Sequence, residues 1–428
     1  MPELRTLADV VDWRLCLGCG ACQPICPSKN VRLVDFTDEG TRPVVADPAQ
    51  CGSCRDCLEV CPVVETDFTP QDPIRETTSD LERDWGPVLE IWEGHAADPE
   101  IRVRASSGGA LTALSLYALE HAGLHGVLHI ASDPADPVRN RTQLSQTRKE
   151  VLAAMGSRYA PASVCDGLDQ VAAAHGPCVV IGKPVEIAAV RRARRLRPEI
   201  DRRVGLTLSF FCAETPPTRA TLELLRRENI PADNLSSLRY RGDGWPGHFA
   251  PTVGGEATPR VKIPYRESWA FLQKYRPWAT QLWPDGAGEQ ADIVCGDPWY
   301  VEPDGVNPGS SLIVVRTETG RRHLAAARTA GYLNIQPAEP HKLFYSQAGL
   351  RAKKGSTWGR RIAAAMLGLP ITRLKGLRLF RIWKRLPFRE QLASFLGTWD
   401  RIFARGFHRR QGRKKSPAGH TRAAAPTL

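Results

Sequence analysis

Two short runs of cysteine constrain this 428-residue chain more than any other feature. Cys16, Cys19, Cys22 and Cys26, followed by Pro27, spell C-x2-C-x2-C-x3-C-P; Cys51, Cys54, Cys57 and Cys61, followed by Pro62, spell it again. Eight of the twelve cysteines therefore fall in two tight clusters, the pattern that reducing compartments use for metals rather than for a disulfide framework. Small residues at Gly18, Gly20, Gly52 and Ser53 let the backbone wrap a metal group with its N–H groups turned inward. C-x2-C pairs also serve zinc, so a pair of zinc sites is the competing reading, although zinc knuckles seldom repeat a four-cysteine run ending in Pro. Cys165, Cys178, Cys212 and Cys295 stand singly and are expected as small buried residues.

The repeated run resembles the bacterial two-cluster ferredoxin, in which the fourth cysteine of each run reaches the other cluster. That resemblance implies two 4Fe-4S clusters, one held by Cys16, Cys19, Cys22 and Cys61, the other by Cys51, Cys54, Cys57 and Cys26. Two centres held so close suit one-electron relay rather than Lewis-acid chemistry.

Hydrophobic residues at 42% and charged residues at 24% are those of an ordinary globular protein. The net charge of +12 is unevenly spread. From Arg351 onward there are 20 basic and 2 acidic residues, leaving 38 basic and 44 acidic in the first 350, so the body is mildly acidic. No stretch approaches the ~18 apolar residues of a spanning helix, and the start has no secretory pattern. A cytoplasmic location is the expectation.

After a polar linker around Thr66 to Asp84, strand and helix signals alternate. ASSGGALTALSLYALE, ending at Glu120, reads as a Ser/Gly turn entering an amphipathic helix, whose start is an anion site or a plain cap. Val127–Ala131, Pro177–Gly182 and Val204–Phe211 read as strands, the second feeding a helix from Val185 to Arg197. Functional-looking turns at strand ends point to an α/β layer with a ligand crevice along its carboxyl edge. Lys183 lies in one such turn, facing either a phosphate or flavin, or solvent alone. Tyr240–Gly247 and Cys295–Tyr300 are dense in glycine and aromatics, either a stacking surface for a planar cofactor or plugs at the core edge.

In order, the cysteine repeat, SSGG-x-LTAL, GSRY-x-P, VVIGKP-x-EIAA, FFCA-x-T-P, YRGDGWPG and D-x-W…GSSL-x-VVRT resemble the coenzyme F420 hydrogenase/dehydrogenase beta-subunit family over residues 13 to 320. The resemblance implies FAD beside the iron–sulfur clusters and a hydride acceptor such as coenzyme F420. It implies Ser106, Ser107, Gly108, Gly109, Gly156, Ser157, Arg158, Tyr159 and Lys183 as the flavin and phosphate environment, and Arg241, Gly244, Trp245 and Asp297 around the substrate face. The chain departs from many relatives at Val185, where they carry cysteine, and at Thr280–Gly286, where they carry C-x-x-C-P-D-G. Neither Val, Thr nor Trp ligates iron, so no further cluster is expected in the body.

From Pro370 the chain alternates basic and apolar residues. Pro387 separates two helical stretches, and in the second Phe388, Leu392, Phe395, Leu396, Trp399, Ile402 and Phe403 recur at helical spacing. This tail either lies on an anionic membrane at the inner face or docks on the core or a partner; nucleic acid is set aside for want of an RNA-binding signature. The expected class is α+β: a ferredoxin-like domain over residues 1–70, an α/β flavin-binding body over 85–345, and a basic helical tail over 350–428. The expected function is an iron–sulfur flavoprotein oxidoreductase working with a redox partner protein. The alternative is a non-catalytic electron-transfer subunit wiring a partner enzyme to the membrane, and a tie to surface-polysaccharide synthesis is the third reading.

Overall fold

The computed structural model describes residues 3–70 and 79–412. In chain order its strands are β1 (Val31–Phe36), β2 (Gly40–Val45), β3 (Glu65–Asp67), β4 (Glu90–Ala96), β5 (Gly126–Ser132), β6 (Asn140–Ser145), β7 (Cys178–Gly182), β8 (Val204–Phe210), β9 (Leu235–Arg239), β10 (His248–Val253), β11 (Ile263–Pro264), β12 (Ile293–Gly296), β13 (Ser311–Val315), β14 (Leu333–Pro337) and β15 (Arg373–Lys375). Five helices bear on the site: α1 (Ala110–Glu120), α2 (Pro184–Leu196), α3 (Ala348–Met366), α4 (Leu379–Trp383) and α5 (Phe388–Ala404).

The body is built on an eight-stranded sheet of order β14-β4-β13-β12-β8-β7-β5-β6. Its centre, β5-β7-β8-β12, is parallel, and antiparallel strands extend it on both sides. Parallel strands need crossover helices that cover both faces, so they read as unbroken apolar runs such as CVVIG, without alternation. Three of the parallel strands, β7, β8 and β12, are followed by Lys183, by Phe211 and Cys212, and by Asp297, which places those residues along one carboxyl edge. A separate antiparallel sheet, β11-β10-β9, carries the Tyr240–Gly247 loop between β9 and β10.

Helix α1 differs from the expected amphipathic helix. Ala113, Leu114, Ser115, Leu116, Tyr117 and Ala118 are all buried, because the helix is wedged between the sheet and the helices Arg148–Ala153 and Glu318–Thr329. The expected linker is also more ordered at both ends. Thr66 lies in β3, and Ser79–Trp85 is helical with Trp85 almost fully buried; residues 71–78 lie outside the described residues.

The cysteine-rich N-terminal module carries the hairpin β1-β2 and shares core with the body. Cys22 and Cys26 pack in one cluster with Leu128, Val164 and Val180, and Cys16 in another with Val185, Trp283 and Ile402. The C-terminal segment is woven into the same fold. β15 adds in parallel to β3, Arg373 and Lys375 both pair with Glu65 at 3.0 and 3.1 Å, and the Gln411 backbone N–H donates to the Asp12 carbonyl. Helix α3 is tied to the body by Lys354–Glu289 at 2.6 Å, both side chains buried. The close of the tail, residues 413–428, lies outside the described residues.

Candidate functional site

The two cysteine loops fold so that the runs exchange their last members. Cys16, Cys19, Cys22 and Cys61 ring one hollow, which Gly18, Gly20, Pro62 and Val185 complete. Cys57 lies within electrostatic reach of Cys54, Cys26 and Cys51, so Cys26 joins the second run. Glycines make the wrapping geometrically allowed. Gly18 sits at φ +71°, where a Cβ would come within 2.7 Å of the Thr41 carbonyl oxygen, and its N–H points at Cys16 Sγ at 3.4 Å.

Burial, and then repulsion among neighbouring thiolates, pushes the Cys61 thiol up to about 12 and the Cys57 thiol to about 11; Cys19 and Cys22 move further the same way. Such thiols ionise only against multivalent cationic metal, which deprotonates a coordinating thiol outright. Four sulfurs ringing a hollow fit a cubane cluster. At the second set Asn30 is the organising residue that the sequence reading missed. Its backbone N–H donates to Cys26 Sγ at 3.3 Å and its amide to Cys51 Sγ at 3.7 Å, joining ligands from the two runs. These bonds, with Ser28, outweigh burial and hold the Cys26 thiol below its ordinary value.

At the carboxyl edge of the sheet, Asp297 gathers three distant segments. It takes two bonds from the Arg241 guanidinium at 2.8 and 2.7 Å, one from Trp245 Nε1 at 2.8 Å and one from the Ser107 hydroxyl at 2.8 Å. Burial alone would raise its carboxyl; Arg241 and the other donors outweigh that and hold it below the usual range. Arg241 itself is 2% exposed and lies over the Tyr265 ring at 4.2 Å, and Tyr265 stacks on Trp299 with ring centroids 5.6 Å apart. Tyr265 carried no sequence signal. The Ser/Gly turn is held by Gly108 at φ +71°, where a Cβ would meet the Ser310 backbone at 2.7 Å, and by Gly109 at φ +78°. The Ser157 N–H donates to the Ser106 hydroxyl at 2.9 Å, and Gly156 lies against Arg239, so the turn meets the Gly156–Tyr159 segment below a guanidinium. Tyr159 joins the ring cluster with Trp269 at 4.9 Å, and Gly244 lies on the partly exposed rim.

Two of the sequence-derived residues lie apart from this constellation. Arg158 spends its donors on Asn140 and on the carbonyls of Leu238, Pro137 and Arg139, pinning β6 to β9. Lys183 is buried, paired with Glu186 at 2.8 Å and bonded to the Ala162 carbonyl at 2.9 Å. Burial lowers its pKa but Glu186 and Glu214 raise it more, so it stays charged inside the fold. Its neighbourhood faces the first thiol set: Ser163 donates to the Gly18 carbonyl at 2.7 Å and the Cys165 N–H to the Cys19 carbonyl at 3.2 Å. Glu214, unnoticed within its turn, is buried at φ +73°, with burial raising its carboxyl, and lines a second hollow with Leu17 and Gly18. Cys165, Cys178, Cys212 and Cys295 are all buried and free.

Asp297 and Lys183 follow β12 and β7, two strand spacings apart, about 10 Å along the edge. The segment Gly156–Cys165 spans the same interval, from the Ser/Gly turn at one end to the first thiol set at the other. The same chain segment thus touches both the thiol ring and the Ser/Gly turn beside Asp297.

Residues 15–64 match the 4Fe-4S dicluster domain, residues 91–169 the N-terminal part of the coenzyme F420 hydrogenase/dehydrogenase beta subunit, and residues 177–341 its C-terminal part. The coenzyme F420 hydrogenase subunit beta of Methanosarcina barkeri is 26% identical over 267 residues, 60% of this chain and 84% of that protein. The coenzyme F420-dependent sulfite reductase of Methanocaldococcus jannaschii is 23% identical over 352 residues, 78% of this chain and 49% of that protein. A chain of the xenon-derivatised F420-reducing NiFe hydrogenase complex from Methanosarcina barkeri shares the fold, with a TM-score of 0.52 and 21% identity, over 73% of this chain and all of that one. The crossed thiol sets and the matched body together make the chain an iron–sulfur protein of an oxidoreductase family, and it belongs to the coenzyme F420 hydrogenase/dehydrogenase beta-subunit family.

Proposed function

We propose that the chain passes electrons between two 4Fe-4S clusters and an FAD held at the carboxyl edge of the sheet, and from there to a hydride acceptor of the coenzyme F420 type. Bound FAD takes electrons singly and delivers them in pairs, the chemistry that a junction between clusters and a hydride carrier needs. The residues suit such a group. The Ser106–Gly109 turn brings the positive end of α1 to the carboxyl edge beside Asp297, while Arg239, beside Gly156 and paired with Asp243, is the cation nearest that turn for a pyrophosphate. Trp245, Trp299 and Tyr265 give flat apolar faces, and the neutralised Arg241–Asp297 pair joins the loop of Trp245 to the turn that leads to Trp299.

The observation that carries the reading is the shared edge. Asp297 and its aromatic neighbours lie about two strand spacings from Lys183, and Val185, two residues on, lines the hollow of the first thiol set. The test is anaerobic reconstitution of the full chain. About eight irons per chain with one flavin, and reduction of F420 by cluster-reduced protein, are expected. Protein that holds iron but takes up no flavin under saturating FAD would overturn the flavin assignment. Flavin-loaded protein inert toward F420 would overturn the acceptor alone.

A further inference from the structure

The way α5 is mounted leaves its large apolar side chains outside. At 3.6 residues per turn, Ser394, Thr398 and Ile402 fall within about 80° of one another, and Phe388, Leu392, Leu396 and Phe403 within another ~80°, the two faces turned about 120° apart. The small-residue face is the one that docks: Ser394, Thr398 and Ile402 are buried. It docks on α3, where Gly359 leaves so little room that a Cβ there would collide with Ser394, and where Gly355 sits under Leu386 and Ile382 of the preceding segment. The helices pack through glycine, serine and threonine, so the bulky stripe has no place between them. Phe388 is 74% exposed, Leu392 46%, Leu396 51% and Phe403 49%, and on α4 Phe380 adds a further exposed ring at 46%. Among the nine exposed large apolar residues of the described chain, five lie on these two helices. An apolar row of this size on one element marks an interaction site rather than scatter.

Charge says what covers it. From Arg373 to Arg410 the chain carries eleven basic and two acidic residues, and the sequence beyond adds Arg413, Lys414, Lys415 and Arg422 with no acid. Arg378, Arg381 and Arg389 are exposed beside the apolar row. Phe and Leu flanked by arginines on a helix that is fixed along the protein surface is the arrangement that lies in the headgroup region of an anionic bilayer. Among the described residues no helix is long and apolar enough to cross a membrane, so the contact is a surface one. We propose that α4 and α5 form a docking face for an anionic lipid surface, with the apolar row entering the interface and the arginines meeting the headgroups. This docking face does not depend on the redox reading.

The test is flotation of the full, cluster-loaded chain with vesicles of phosphatidylcholine, with and without phosphatidylglycerol. Binding to the phosphatidylglycerol vesicles at low salt, and none to phosphatidylcholine alone, is expected. The variant Phe388→Ser/Leu392→Ser/Leu396→Ser alters only exposed positions and is expected to keep cluster absorbance while partitioning falls about 100-fold or more. Arg378→Gln/Arg381→Gln/Arg389→Gln is expected to lower binding to anionic vesicles by at least about tenfold. No flotation with anionic vesicles, or unchanged flotation of the apolar variant, overturns the proposal. A lipid-free dimer that the same serine substitutions dissolve also overturns it, assigning the face to a second copy of the chain.

Discussion

Replacing Asp297 by asparagine tests whether the edge site is held by one buried ion pair. The carboxylate receives four hydrogen bonds, two of them parallel bonds from a guanidinium that is 2% exposed. The amide of the Asp297→Asn variant would keep one acceptor oxygen but turn an NH2 group toward donors, leaving Arg241 charged and unpaired in the interior. Removing one partner of a buried pair costs about 3–5 kcal/mol, which at about 1.4 kcal/mol per decade makes the closed arrangement of Ser107, Trp245 and Arg241 at least about 100-fold less favourable. Flavin titration of reconstituted protein should therefore show Kd rising by about two decades. Amide exchange should accelerate in residues 106–109 and 240–247, a readout that needs no flavin. An apolar pair, Arg241→Met/Asp297→Leu, should restore slow exchange without restoring flavin affinity, because it removes the stranded charge but not the need for polar recognition. An Asp297→Asn protein with unchanged exchange in both segments would refute the reasoning, since the pair would then carry none of the local structure.

Cys26→Ala and Cys61→Ala should each lower iron from about eight to about four per chain, and in crossed fashion; a Cys26→Ala protein that keeps the cluster of Cys51, Cys54 and Cys57 contradicts the arrangement. Removing residues from Pro370 onward should cost the first cluster, because Ile402 shares the core with Cys16, Ile371 and Phe407 pack against it, and β15 completes β3; iron retained after gel filtration would show the tail to be dispensable. Gly108→Ala forces a left-handed φ and a Cβ 2.7 Å from the Ser310 backbone, so a loss of about 2 kcal/mol or more is expected in thermal unfolding. His129 is buried and bonded to the Ser145 hydroxyl, and burial lowers its pKa to about 4. Against an unfolded value near 6.5, its stabilising share is complete above that pH and is lost as pH falls toward 4, amounting to about 2 kcal/mol between pH ~7 and ~5. His129→Leu should flatten that decline in urea unfolding; an unchanged slope would place the titrating group elsewhere.

Much of the body was readable from local pattern. Strands β5, β7 and β8 appeared within a residue or so of their observed ends, because each is a short, mostly apolar run rich in Val, Ile and Leu between turn residues. The Ser/Gly turn was visible because Gly108 and Gly109 adopt backbone angles that other residues resist. The linker was misread at both ends because Thr66 is polar in sequence yet paired with a strand more than 300 residues later. The buried Glu214, the bridging Asn30 and the stacking Tyr265 gave no signal at all, since each acquires its surroundings from segments distant in the chain.

The cysteine spacing by itself pointed to an N-terminal module built to hold metal, which the match to a 4Fe-4S dicluster domain bears out, and with the family resemblance it implied crossed cysteine sets and the class of chemistry. Spacing within a dozen residues dictates how a loop can wrap, so no tertiary information was needed. Only the folded structure decided what stands beside those clusters. Ser107 meets Asp297 across 190 residues, a contact set by the sheet order β4-β13-β12 and not by any local pattern. It also decided which side of α5 faces inward. Helical periodicity reveals an apolar stripe but not whether it is covered; that depended on the space left on α3, where Gly359 admits the small face of α5 at Ser394 and leaves Phe388, Leu392, Leu396 and Phe403 to the outside.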